Sequence, residues 1–321
     1  MISYGKQSID ESDIDAVLDV LSGDWLTQGP AVKTFESDLQ KYFGAKYVCA
    51  VSNGTAALEI AIKALGIKKG DEVLINDSVY NPTRIFCDKL LKNYGIKIKY
   101  FHPINDAKSF KKIISKKTKL IFLESPGTAT FEILDIPLIT KIAKEKNIPT
   151  VLDNTWASPI FCDPISLGIN IIVDAGTKYI NGHSDVLIGF VSSDQKHAER
   201  IRIISKMLGI CPGSEEVYLA LRGIPTLYLR LKAIEKNAVK MAEKLINHEI
   251  VKDVYHPALH HTKNHNIWKR DFSGSSGLFS FSLKKNFSNN QIEKFYKKLK
   301  IFKLGYSWGG FESLITFPPI N

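Results

Sequence analysis

Three short stretches put reactive side chains just past strand-like runs. The first is Asp174-Ala175-Gly176-Thr177-Lys178-Tyr179. Lysine is the side chain that makes Schiff bases with carbonyl compounds, and desolvation lowers its pKa for that work. A solvated lysine on a loop is the plainer reading. The second is Val151-Leu152-Asp153-Asn154-Thr155-Trp156. A carboxylate at the end of an apolar run is costly to bury unless paired. A protonated pyridine nitrogen would pair with it; a structural Asp capping the next turn is the alternative. The third is Val51-Ser52-Asn53-Gly54-Thr55-Ala56-Ala57-Leu58. It leaves a strand and opens a helix, so its backbone N–H groups suit an anion such as a phosphate, with the Thr55 hydroxyl in support. Ser and Asn also cap helices routinely. The stretch is neither a Walker A loop nor a dinucleotide fingerprint.

Taken together and in this order, a phosphate loop, a strand-end Asp and a strand-end Lys form the layout of a pyridoxal-phosphate (PLP) enzyme. In that layout Asp153 keeps the cofactor's ring nitrogen protonated and Lys178 bonds its aldehyde carbon. The elements that must position these residues alternate. Strand-like runs fall at 47–51, 72–76, 97–101, 119–124, 150–153, 171–175 and 187–192. Segments of helical period lie between them, for example 56–65, 83–93 and 136–146. Such alternation implies a mostly parallel α/β sheet covered on both faces. Ligands of such sheets bind at the carboxyl ends of strands, where all three stretches lie. A long helix at 225–248, a strand at 277–283, a helix at 290–299 and the ending 315–321 follow. The expected organisation is an N-terminal segment 1–45, a large PLP-binding domain 46–224 and a smaller C-terminal domain 225–321.

Composition narrows the function classes. The chain has 321 residues, 44% hydrophobic and 24% charged, as in ordinary globular proteins of about two domains. The net charge of +10 comes from lysines scattered along the whole chain, without interleaved aromatic residues. No nucleic-acid partner is expected. No apolar run approaches the ~18 residues of a membrane span, and Met1 to Asp15 lacks a signal-peptide core, so no membrane association is expected. Cysteines 49, 87, 162 and 211 are far apart and form no CxxC pair, which fits a reducing, cytoplasmic setting. His256, His260, His261 and His265 have spacings that metal ligands use, but no Cys or paired carboxylate joins them, and no metal is expected. His183 is expected to order the loop after Lys178. Trp25 and Trp268 are expected to pack. Glu124, at the end of a strand, is placed equally well to orient the cofactor or to serve the scaffold.

From about residue 71 to 317 the sequence resembles the cystathionine β-lyase branch of the Cys/Met-metabolism PLP enzymes. The stretches that carry this include Asp77-Ser78-Val79-Tyr80-Asn81-Pro82-Thr83, Leu123-Glu124-Ser125-Pro126-Gly127, Ala175-Gly176-Thr177-Lys178-Tyr179 and Gly182-His183-Ser184-Asp185. Further on come Phe272-Ser273-Gly274-Ser275-Ser276-Gly277-Leu278-Phe279 and Gly305-Tyr306-Ser307-Trp308-Gly309-Gly310-Phe311-Glu312-Ser313. The Trp308 of the last stretch is typical of β-lyases rather than γ-synthases. The resemblance implies the fold type I (aspartate-aminotransferase-like) architecture with a seven-stranded sheet. It implies that Lys178 carries PLP and moves protons, that Asp153 pairs with the pyridinium, and that Tyr80 stacks on the ring near the reacting amine. Gly54, Thr55 and Thr177 would hold the phosphate, and Ser307 and Trp308 would face the substrate. It further implies a small sulfur amino acid as substrate, cleaved at its Cβ–S bond, and a homodimer or homotetramer.

Residues 1–70 are instead similar to the DegT/DnrJ/EryC1 sugar aminotransferases, through Asp24-Trp25-Leu26-Thr27-Gln28-Gly29-Pro30 and Ser52–Leu58. The lyase family's Tyr-x-Arg element, which reaches a neighbouring subunit's phosphate, has no counterpart before Val51. The arginine that the family places further along, for the substrate carboxylate, has none either. The expectation is a hybrid with a truncated C-terminal domain. Alternatives are a keto-sugar aminotransferase and a PLP-fold protein with impaired catalysis. The context Ala175-Gly176-Thr177-Lys178 departs from the Ser-Phe-His-x-x-Lys setting of the aminotransferases.

Overall fold

The run Val73-Leu74-Ile75 is wholly buried, with no alternation between an apolar and a polar face. A strand of this kind needs cover on both sides, which is why parallel sheets sit between helices. The computed structural model describes residues 10–25, 29–103 and 106–317. Seven strands form the main sheet: β1 Tyr47–Val51, β2 Glu72–Asn76, β3 Lys97–Phe101, β4 Thr118–Glu124, β5 Thr150–Asp153, β6 Ile171–Asp174 and β7 Gly189–Ser193. Their order is β1-β7-β6-β5-β4-β2-β3. The pairs from β3 to β6 are parallel, and β7 runs antiparallel to both β6 and β1. This is the mostly parallel seven-stranded α/β sheet that the sequence predicts.

Helices interleave with the strands: α1 Glu11–Ser22, α2 Pro30–Phe43, α3 Gly54–Ala64, α4 Asn81–Ile85, α5 Ala107–Ile113, α6 Ile136–Glu145, α7 Ser158–Phe161, α8 Gln195–Leu208 and α9 Ser214–Gly223. After these come α10 Leu227–Ile246, an antiparallel pair β8 Val251–Tyr255 and β9 Ser280–Leu283 with α11 His265–Asp271 between them, and α12 Asn289–Lys298. A short parallel pair, β10 Lys303–Leu304 and β11 Leu314–Ile315, closes the described chain.

Successive strand residues face opposite sides, and the two sides have separate cores. Phe122, Val151 and Val173 pack with Ala57, Ile60 and Ala61 of α3. Leu123, Leu152 and Ile172 pack with Ile136, Ile139 and Ile142 of α6. Continuing this alternation to the strand ends puts Glu124 and Asp153 on the α3 side.

Local chemistry sets the element ends. Asn53 accepts a hydrogen bond from Ala56 N at 2.8 Å, so α3 starts earlier than the apolar pattern alone suggests. The helix expected at 83–93 is instead α4 followed by a π-helical turn, Phe86–Leu91, in which Lys92 N reaches Cys87 O. Pro225 gives a 3₁₀ turn, Ile224–Thr226, ahead of α10. Trp268 packs as expected, with its indole N–H on Gly274 O at 3.2 Å. Trp25 does not: it lies in the link after α1, on the rim of a cavity with Val20, Pro30 and Pro212, and is 64% exposed. Leu26-Thr27-Gln28 and the last four residues, 318–321, lie outside the described residues.

Candidate active site

Asp153 ends β5 beside Glu124, which ends β4 in the same register. Both carboxyls therefore stand at the carboxyl edge of the sheet. Thr155 holds Asp153 twice: its N–H and its hydroxyl donate to Oδ1 at 3.0 and 2.6 Å. The same hydroxyl accepts from Ala175 N at 2.9 Å, so Thr155 couples the Asp153 strand end to the segment carrying the lysine. Burial raises the Asp153 pKa, and the Thr155 hydrogen bonds and the Lys178 charge offset part of that rise.

Lys178 follows β6 on a tight turn in which its own N–H bonds Ala175 O at 3.0 Å. The Thr177 hydroxyl donates to Ile188 O at 3.1 Å and accepts from Ile188 N at 3.0 Å, tying this turn to the strand entering β7. Lys178 Nζ donates to Ser307 Oγ at 3.0 Å and lies 5.3 Å from the centre of the Trp308 ring. The Trp308 ring is also 5.2 Å from that of Tyr179, whose hydroxyl accepts from Gly277 N at 2.9 Å. Gly309 lets this loop press onto the lysine. Its φ is +89°, and a Cβ there would come within 2.8 Å of the Lys178 carbonyl carbon. Burial lowers the Lys178 pKa and Asp153 counteracts, so the amine is more readily neutral than an exposed lysine.

The N-terminus of α3 lies against the same turn. A Cβ on Gly54 would meet the Ala175 Cβ at 2.9 Å, so the helix start sits closer to the lysine segment than any other residue would allow. Asn53 takes one of the first N–H groups, and Thr55 is exposed at the opening. Tyr80, 45% exposed, is the residue just before α4. Its N–H donates to Glu124 Oε2 at 2.7 Å. Burial, Asp153 and Glu124 together raise the Tyr80 pKa. Burial and the Asp153 charge push the Glu124 carboxyl up to about 8.

The remaining candidates serve the scaffold. His183 Nδ1 lies 2.6 Å from Asn181 O, inside the loop after Lys178. Ser184 donates to Glu312 at 2.6 Å, joining that loop to the Ser307–Trp308 loop. His256 accepts from Ala258 N at 3.1 Å, and burial pushes its pKa down to about 4. His265 Nδ1 lies 2.9 Å from Pro257 O. Among the described residues, no group of three His, Cys, Asp or Glu side chains is placed to hold a metal ion. Among the same residues, no helix is long and apolar enough to cross a membrane.

A model of the Cys/Met metabolism PLP-dependent enzyme family matches residues 26–321. The chain belongs to this family. The match reaches upstream past residue 71, so from residue 26 onward the chain falls within this family rather than dividing between two. A Saccharomyces cerevisiae relative is 42% identical over 281 residues, covering 88% of this chain and 82% of its own length. The cystathionine beta-lyase of Haemophilus influenzae is 40% identical over 264 residues, 82% of this chain and 66% of that protein. A crystal structure of metB from Corynebacterium glutamicum superposes with a TM-score of 0.85 at 31% identity, covering 89% of this chain and 74% of that one.

PLP fits the residues present in this member of the family. An acid, an amine and a helix start converge from three separate elements. The close approach at Gly54 sets the start of α3, whose first-turn backbone N–H groups have no partner within the helix, against the turn that ends in Lys178. The sequence singled out Lys178, Asp153, Gly54 and Tyr80, and the structure brings them to one edge of the sheet. It did not single out Thr155 as a brace, although a Thr two residues after an Asp is a turn signal. It did not find the Ser184–Glu312 tie, for which no local signal exists.

Proposed function

We propose that the chain is a PLP-dependent carbon–sulfur β-lyase that converts L-cystathionine to homocysteine, pyruvate and ammonia. The observation that carries the reading is Lys178 Nζ, desolvated, near the Asp153 charge and bonded to Ser307 beside Trp308. The family and its cystathionine beta-lyase relatives support it.

Bound PLP supplies a protonated conjugated ring that accepts the electron pair left at the substrate Cα. Gly54 and Thr55 would hold its phosphate at the start of α3, with Thr177 fixing the adjoining turn. Asp153 keeps the proton on the ring nitrogen, and Thr155 fixes the carboxyl for that task. Tyr80 would lie over the ring. Lys178, whose pKa burial lowers, takes the Cα proton; general base catalysis of this kind contributes roughly 10²–10⁴-fold. The pair at Cα then forms a Cα–Cβ double bond as the Cβ–S bond breaks, the bond's electrons leave with sulfur, and the thiolate takes up the proton that Lys178 removed. The remaining three-carbon amino acid fragment is hydrolysed to pyruvate and ammonia. Ser307 orients the Lys178 nitrogen, and Trp308 walls the substrate side.

The working unit is a homodimer or homotetramer in the cytoplasm. Support for assembly comes from α1, whose Ile14, Val17, Leu18 and Leu21 recur at helical spacing and are all exposed. Four free cysteines suit a reducing compartment.

The test is a titration of purified, PLP-loaded protein with L-cystathionine, reading pyruvate and free thiol. Both products in equal amount establish the lyase. Visible cofactor absorbance with glutamate-dependent amino transfer and no pyruvate would replace it with an aminotransferase.

A further inference from the structure

Glu124 is a buried carboxyl, 8% exposed, beside Asp153 but not needed to pair with the cofactor nitrogen. Its main chain is clamped by Asn76: Glu124 N donates to Asn76 Oδ1 at 2.9 Å, and Asn76 Nδ2 donates to Glu124 O at 3.2 Å. Its side chain reaches two further groups. Oε2 accepts from Tyr80 N at 2.7 Å, and Oε1 accepts from the Thr128 hydroxyl. Thr128 in turn donates its N–H to Ser78 O at 2.6 Å, and Ser78 Oγ accepts from Asn76 Nδ2 at 3.0 Å. The turn that carries Tyr80 is thus fastened to the end of β4 through one carboxyl and one amide. The same turn is also held upstream, by Asp77 N on Phe101 O at 2.9 Å, by the Arg84 guanidinium on Asp77 O and by the buried Val79, but at Tyr80 N the acceptor is the Glu124 carboxyl. Tyr80 is half exposed, and its side chain makes no capping bond to α4.

We propose that Glu124 is a positioning residue: anchored at the end of β4 next to Asp153, it holds the Tyr80 main chain so that the phenol lies over the cofactor that Asp153 and Lys178 bind. This rests on the reading of the site given above. Glu124 acts through Tyr80 and touches neither cofactor nor substrate. A carboxyl that works as a hydrogen-bond bridge rather than as a charge is replaceable by an amide. Gln accepts from Tyr80 N through its oxygen and donates to Thr128 through its nitrogen.

The experiment titrates PLP into cofactor-free protein, followed by visible absorbance, for wild type, Glu124→Gln, Glu124→Ala, Tyr80→Ala and the Glu124→Ala/Tyr80→Ala double variant. Amide hydrogen exchange of the Tyr80 segment is measured on the same cofactor-free proteins. Loss of one well-placed hydrogen bond predicts PLP binding about tenfold weaker in Glu124→Ala. It also predicts faster exchange at Tyr80. Glu124→Gln stays within about threefold of wild type. The double variant binds no more weakly than Tyr80→Ala alone, because coupled residues are not additive. Wild-type affinity and exchange in Glu124→Ala overturn the proposal, and so do losses that multiply in the double variant. Should Glu124→Ala fail to fold, Glu124→Leu has similar bulk without the acceptor and carries the same comparison. None of these readouts needs substrate, so a chain without lyase activity leaves the test intact. A chain that takes up no PLP sinks the functional reading, while amide exchange still reports on the tether.

Discussion

Lys178 Nζ donates to Ser307 Oγ across 3.0 Å although 129 positions separate the two residues. The hydroxyl aims the amine, and the Trp308 ring beside it covers one side. The Asp153 charge acts on the same nitrogen. The amine is thereby held between Asp153, proposed as the cofactor's acid partner, and the loop proposed to meet substrate.

Lys178→Ala removes the amine while leaving the turn that Thr177 and Ile188 hold. The expected outcome is loss of the visible absorbance of bound cofactor, together with a fall in turnover of at least roughly 10²–10⁴-fold. Absorbance and pyruvate release check it in one sample. Retained lyase activity would refute the assignment.

Asp153→Asn keeps an oxygen for the two Thr155 hydrogen bonds but removes the charge. PLP should still bind. The rate constant kcat should drop by roughly 10²–10³-fold, the scale for losing one preorganised electrostatic partner of the developing charge. A steady-state comparison with wild type decides. An unchanged kcat would mean that the ring nitrogen does not need this carboxyl.

Gly54→Val places side-chain atoms where even a Cβ would sit 2.9 Å from Ala175 Cβ. Alanine has no flexible end to yield, so α3 or the lysine turn must shift. The expected cost is about 1–3 kcal/mol of stability, as for other overpacked sites. Weaker PLP binding should accompany it. Thermal melting with and without PLP measures both, and a variant matching wild type in each would show that the approach is loose.

Glu124 predicts a pH dependence of stability. Its carboxyl is raised from an ordinary 4.5 to about 8 in the folded chain. Between these values the folded state keeps a proton that the unfolded state releases. Stability from this group is therefore full below the unfolded value and is lost as pH rises through the folded one. Cofactor-free Glu124→Gln has no such proton to lose. Its melting temperature should fall less than that of wild type between about pH 5 and pH 8. Equal slopes in the two proteins would show that Glu124 is ionised throughout.

Ser307→Ala leaves Lys178 without its hydroxyl partner. A net loss of about 0.5–1.5 kcal/mol is expected for one such bond. It should appear in turnover more than in PLP affinity, because Ser307 touches the amine and not the phosphate end. Parallel measurement of kcat and of PLP binding separates the two.

Much of the site is legible residue by residue. Gly54 with Asn53 before it, Asp153 after Thr150-Val151-Leu152, and Lys178 after Ile171-Ile172-Val173 each carry a local signal. A strand end or helix start is written in a few consecutive side chains. The order of the three on an alternating α/β pattern was enough to name the cofactor. The π-helical turn after α4 and the exposure of Trp25 were not legible, since both depend on what packs nearby.

The sequence by itself determined the sheet, the acid, the amine and the helix start, because backbone propensity and apolar periodicity act over a few residues. Only the tertiary structure decided that Ser307 meets Lys178, that Thr155 braces Asp153 against Ala175, and that Glu124 carries Tyr80. Those contacts follow from β4, β5 and β6 lying side by side and from the later chain returning to Lys178. Such adjacency arises when distant apolar faces bury one another, and no local spacing records it.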